Sequence, residues 1–200
     1  MSESDAIVIK CRTPAAAPEA LIEAMLRAAV APALPVVAAS ANLSLDGAEL
    51  YAYLWLRQAT AVGPESLAPL IAAAAGAAAV TGLRLAGLQD VRGAAHGARA
   101  VFHYVVETDV TPHAEGDLND WYNVEHLPGL AAVPGTVRAR RLLNLDGAPR
   151  YHSCYELVSA ETLRSAPWLA VRHTPWSDRV RPSFRNTKRT MFRRVAERTL

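Results

Sequence analysis

The chain alternates between runs of period two and runs of period three to four, and the order of those runs repeats. AIVIKC, Ala6 to Cys11, is a short β-rich apolar run, and Pro18 opens PEALIEAMLRAAV, in which Leu21, Met25 and Ala28 recur at helical spacing. After Pro35 the helical pattern stops. VVAASANLSL and ELYAYLWLR then flank Asp46 and Gly47, and an Asp-Gly pair between two alternating runs predicts a hairpin. A second helix is expected from Glu65 to Ala75 and a fourth strand from Val80 to Val91.

The second half has the same order. RAVFHYVVETDV (Arg99 to Val110) alternates as a strand, and DLNDWYNVEHLPGL (Asp117 to Leu130) follows as a helix that Pro128 is expected to break. TVRARRLLNL and RYHSCYELV make a second hairpin around Asp146 and Gly147. Ser159 is the expected cap of a helix from Ala160 to Arg172, and TMFRRVA is the last strand, reached through a segment bearing Pro175 and Pro182. The pattern therefore predicts an α+β fold built from two tandem ferredoxin-like βαββαβ repeats, residues 1–95 and 96–200, with the boundary near Gly93 to Gly97. A sheet with helices on one face needs a cover on the other. Face-to-face packing of the two sheets would supply it and form an intramolecular α+β barrel with a core or cavity between them.

Composition adds bounds. In 200 residues, 51% are apolar, enough for a sizeable core. The opening MSESDAIVIKCR has acids where a secretory signal carries bases, and the Ala-rich stretch Leu67 to Leu83 is broken by Pro69 and Gly76, so the chain reads as cytoplasmic with no membrane span. Cys11 and Cys154 stand apart, outside any metal-ligand or disulfide pattern. From Arg138 onward bases outnumber acids, ending in RPSFRNTKRTMFRR (Arg181 to Arg194). This run suggests an anion surface or a solvated face; without interleaved aromatics it argues against nucleic acid.

WYNVEHLP (Trp121 to Pro128) resembles the aromatic-Tyr-x-x-x-His-x-Pro segment of the dimeric α+β barrel superfamily, and within it the EthD-like proteins and related bacterial families. VPGTVRARR (Val133 to Arg141) and TPWSDRVRPSFRN (Thr174 to Asn186) add to the likeness, which covers Ala98 to Val195. The resemblance implies a ferredoxin-like half completed by a partner half, usually through dimerisation and here within one chain; a homodimer is left open. Members of that superfamily include cofactor-free oxygenases, decarboxylases of aromatic polyketides, muconolactone isomerases and haem-binding enzymes. The first-half helix has no counterpart of the motif, so one site is expected.

On an α-helix Tyr122 and His126 stand four apart and Asn123 beside them, so phenol, amide and imidazole can share a face next to Trp121. A histidine there suits proton transfer near neutral pH. His103, on a strand with Val101 and Val105, is a second candidate for the same cavity. On the hairpin Arg138, Arg140 and Leu142 share one face and Tyr151, Ser153 and Tyr155 share another; Arg140 and Tyr155 are candidates to hold a substrate oxygen. Arg141 and Arg150 read as surface charge, and Asp117 or Asn119 as a helix cap. Trp168 and Trp176 read as a plug or a lid. No nucleotide-loop, hydrolase-elbow or zinc-protease motif is present.

Taken with the resemblance, the residues imply a cofactor-independent enzyme acting by proton transfer on an apolar, aromatic or lactone-like small molecule between the sheets, as an isomerase, decarboxylase or oxygenase. His126, Tyr122 and His103 would carry the chemistry; Asn123, Trp121, Arg140 and Tyr155 would bind substrate, and no metal is called for. The alternative is a non-catalytic ligand-binding or structural barrel. Haem binding through His103, His126 or His173 is a third reading.

Overall fold

Each alternating run becomes a strand, because alternation lets one face of the backbone bury its side chains against a helix. The structure, a computed structural model, describes residues 3–12, 17–30 and 33–200. The elements are β1 (Glu3–Arg12), α1 (Pro18–Val30), β2 (Val36–Ser44), β3 (Glu49–Ala61), α2 (Leu67–Ala73), β4 (Ala78–Arg92), β5 (Phe102–Val110), α3 (Glu115–Trp121), α4 (Leu127–Ala131), β6 (Thr136–Asn144), β7 (Tyr151–Leu157), α5 (Ala166–Arg172), α6 (Pro175–Val180) and β8 (Phe184–Thr199). Among the described residues, no helix is long and apolar enough to cross a membrane.

The chain divides into two compact units. One unit holds Met1–Gly87, Asn144–Gly147 and Phe192–Leu200; the other holds Leu88–Leu143 and Ala148–Met191. β4 and β8 are long, at 15 and 16 residues. Each starts in one unit and finishes in the other.

In the first unit the hydrogen-bonded strand order is β4-β1-β3-β2-β8. β1 pairs antiparallel with β3 (Ile7 opposite Leu54) and with β4 (Ile7 opposite Arg84), and β2 pairs with the second half of β8 (Ala41 opposite Ala196). Ile7, Ile9, Cys11, Leu50, Ala52 and Leu54 face α1 and α2, where Leu21, Ile22, Met25, Leu67 and Leu70 complete the core. The first Asp-Gly turn forms as expected: Asp46 accepts from the backbone N–H of Ala48 at 3.0 Å, and Gly47 takes φ +73°.

In the second unit the order is β8-β5-β7-β6-β4. Tyr155 of β7 stands opposite both Tyr104 of β5 and Ala139 of β6. That register fixes the faces. Tyr104, Val106, Ala139, Tyr151 and Tyr155 pack against Leu118, Trp121, Leu127, Leu130 and Trp168 of the helices. His103, Glu107, Arg140, His152, Cys154 and Glu156 alternate with them and point the other way.

Candidate active site

The motif helix does not stop at Pro128. α3 runs into a wide π turn at Tyr122–His126 and continues as α4 through Pro128 to Ala131. A proline lacks its N–H and its ring crowds the carbonyl four residues back, here Val124. A π turn removes the conflict because its hydrogen bonds reach five residues instead of four, and such turns recur at functional sites. Nor is Asp117 or Asn119 the cap: Ala114 holds that position, and Asp117 lies in the first turn, accepting from Trp176 Nε1 at 2.8 Å and Arg179 Nη2 at 2.9 Å.

The π turn delivers His126 into a cavity of about 40 Å³ beneath the helices of the second unit. The imidazole stacks on Trp121 with ring centroids 4.0 Å apart and meets Tyr122 edge-on at 5.2 Å. Trp121 is held in turn, its Nε1 donating to Glu125 Oε1 at 3.1 Å, and Thr174 at the start of α6 donates to the same oxygen. Glu125 thus ties the turn to α6 and fixes the ring on which His126 rests. Burial, followed by the charges of Arg172 and Arg181, pushes the His126 pKa down from 6.5 to about 3, so the imidazole is neutral at pH 7.

Tyr104, Tyr122 and Tyr155 line the cavity with His126, and burial raises all three phenol pKa values, so they stay protonated donors. Trp168, Leu130, Val106, Phe184 and Ser177 complete the wall, with Arg172, Arg181 and Arg189 supplying positive charge. Three buried polar atoms on this lining have no hydrogen-bond partner: His126 Nδ1, Tyr155 Oη and Trp168 Nε1. Buried polar groups are nearly always satisfied. Here an unused imidazole nitrogen and two unused donors border one space.

Of the expected site residues, the structure brings together Trp121, Tyr122, His126 and Tyr155. His103 is buried on the opposite face of β5, in register with Glu156, and does not share the cavity. Asn123 is exposed, and its carbonyl accepts from Gln89 Nε2 at 3.1 Å. Arg140 faces away from Tyr155, its guanidinium 3.4 Å from Asp90 and 3.5 Å from Glu156. Arg141, expected at the surface, is 1% exposed on the helix-facing side. The cavity lies between this unit's sheet and its own helices, not on the sheet face where a ligand was expected. His173 is exposed at the end of α5. Among the described residues, no three His, Cys, Asp or Glu side chains gather as metal ligands would.

Tyr104, Trp168 and the three arginines were not among the expected site residues. The signal for Arg181 and Arg189 was there, in the basic run from Arg181 to Arg194.

No family model matches the chain, and no curated protein matches it. Solved structures do. A candidate monooxygenase from Lactobacillus acidophilus NCFM superposes with a TM-score of 0.67 at 12% identity, over 100% of this chain and 97% of that one. A candidate monooxygenase from Fusobacterium nucleatum gives 0.64 at 9% identity, over 97% and 93%. An anthrone oxidase-like protein gives 0.61 at 17% identity, over 100% and 94%. The chain shares their α+β fold; at such identities the likeness speaks for the fold and not for an activity.

Proposed function

We propose that the second unit is the catalytic half of a small cofactor-independent enzyme, of the oxygenase type, that removes a proton from an acidic C–H of a keto- or hydroxy-aromatic compound. The observation that carries this reading is the convergence of His126 Nδ1, Tyr155 Oη and Trp168 Nε1, all buried and unpartnered, on one cavity. Neutral His126 takes the proton. Tyr155 donates to the oxygen on which negative charge develops, and Arg172 and Arg181 stabilise that charge. Burial first and those arginines second hold down the basicity of His126, and the negative charge that develops on the substrate oxygen offsets the arginines as the proton moves.

With molecular oxygen as the oxidant, the carbanion adds O2 to form a peroxide, which takes up the proton. Loss of water then leaves a carbonyl: CH2 plus O2 gives C=O plus H2O. The names of the structural neighbours favour this outcome over isomerisation or decarboxylation. The WYNVEHLP segment supports an EthD-like assignment for this half. The matching orders β4-β1-β3-β2 and β8-β5-β7-β6 support a duplicated ferredoxin-like unit.

At about 40 Å³ the cavity admits water-sized guests, whereas a benzene-sized guest needs roughly 150 Å³. Admission therefore requires α5 and α6, which carry Trp168, Arg172 and Ser177, to swing outward. Both are two turns or shorter, which makes local opening cheap. The test is oxygen uptake with anthrone as probe, without added metal or flavin, in the wild type, His126→Gln and His126→Ala. The wild type should consume oxygen above the buffer rate and both variants should lose at least a hundredfold. Equal rates in all three would leave a ligand-binding protein in place of an enzyme.

A further inference from the structure

Beyond the His126 cavity, we propose a second site: a carboxylate-binding site at Arg141, at the groove of about 620 Å³ that Arg141 lines with Glu115, Asn119, Asn123, Arg150 and Tyr151. Arg141 is 1% exposed, and its guanidinium carbon lies 4.4 Å from the centroid of the Tyr122 ring and 4.3 Å from that of Tyr151. Its Nε and Nη2 have no hydrogen-bond partner, and its contact with Tyr151 does not occupy them.

Those two nitrogens form the side-on fork of the guanidinium, and this chain shows what that fork takes. Arg138 uses Nε and Nη2 to hold the two oxygens of Asp90, and Arg179 uses the same pair on Asp117 at 3.1 and 2.9 Å. In both, one planar carboxylate fills the fork. Arg141 has the fork and no carboxylate; both nitrogens are buried, so a ligand in the groove reaches them only as the side chains over them give way. Glu115, the acid of the groove, is engaged elsewhere: Arg150 Nε lies 2.9 Å from it, and Tyr151 donates its hydroxyl to it. Two arginines against one acid leave the groove with net positive charge.

A buried, unpaired guanidinium is costly, and a planar anion is what would neutralise it. The groove is also lined by Leu88, Pro112 and Leu143, apolar surface against which a ring bonded to the carboxylate can lie. The ligand class is therefore a small aryl carboxylate. Tyr122 stands between this site and the cavity, touching Arg141 with its face and meeting His126 edge-on.

Sodium benzoate is the probe, with benzamide and inorganic phosphate as controls, read by calorimetry and by thermal shift on the full chain. Benzoate should bind the wild type saturably and raise its Tm, while the neutral amide and the tetrahedral anion should not match it. Arg141→Met should weaken benzoate at least tenfold, and Arg141→Lys, which keeps the charge and loses the fork, should fall between. Arg141→Met should also leave the ligand-free Tm unchanged or higher, because an unpaired buried charge has been replaced by an apolar chain; should that variant fail to fold, Arg141→Lys carries the comparison alone. His126→Gln should keep the benzoate shift, which separates this site from the catalytic reading. No saturable binding, an equal shift in Arg141→Met, an equal response to phosphate, or loss of the shift in His126→Gln would each overturn the proposal.

Discussion

Replacing His126 by glutamine should change how the stability of the protein depends on pH, and the size of the change follows from the burial of the ring. In the folded chain the imidazole titrates at about 3, against 6.5 when exposed. Above 6.5 both states are neutral there and the histidine adds no slope. Below it the unfolded chain binds a proton that the folded one refuses, so stability falls as the pH drops, levelling off only below 3. Between pH 7 and pH 5 this difference is worth about 2 kcal/mol, at 1.36 kcal/mol per unit once the unfolded group is protonated. Urea unfolding of the wild type and His126→Gln at half-unit intervals measures it. All other groups are common to both proteins, and their contributions cancel. The wild-type curve should fall below the variant's by that amount as the pH goes from 7 to 5. Parallel curves would mean that water or an open conformation solvates the imidazole, and the buried, neutral His126 would be wrong.

Three further outcomes follow from the same structure. Glu125→Ala removes the acceptor shared by Trp121 Nε1 and Thr174; it should cost about 1–2 kcal/mol in chemical denaturation and move the Trp121 indole N–H resonance. Gly93→Ala would place a Cβ 2.0 Å from the backbone oxygen of Thr136, a clash no rotamer relieves, and should cost at least about 3 kcal/mol or give no folded protein in thermal melts. Asp146→Ala removes the carboxylate that accepts from the Arg84 backbone N–H at 2.7 Å and from its Nε at 3.0 Å. It should cost about 2 kcal/mol at pH 7. The interaction with Arg84 holds the Asp146 pKa below the ordinary carboxylate value despite burial, so the wild-type advantage should shrink as the pH falls through that lowered pKa.

What could be read from the sequence was local. The Asp-Gly turns and the alternating runs placed all eight strands, because a hairpin is specified by residues within reach of one another. Tyr122 and His126 were readable as neighbours, but the manner was not: a proline four residues after Val124 reads as a stop, and only the surrounding packing makes a π turn the better solution. The hairpin faces were readable as parities, Arg140 on one and Tyr155 on the other. Pairing β7 with β6 puts Cys154 opposite Arg140 and Tyr155 opposite Ala139, so the two cannot serve one ligand. Which parity meets the helices depends on the packing of distant elements: His103 lies on the face turned from the helices, and Arg141, taken for surface charge, on the face turned toward them.

The pairing of β2 with the second half of β8 has a meaning in time as well as in space. Asn42 and Arg194 lie side by side in the fold and 152 residues apart in the chain. A ribosome adding roughly 5–20 residues per second takes on the order of 10–30 s to cover that distance. For that interval β2 is a strand edge with its partner not yet made, and an open edge is a template for pairing with the wrong chain. Slowed translation between the two strands would lengthen the exposure, so the yield of folded protein should depend on elongation rate far from any residue of the His126 cavity.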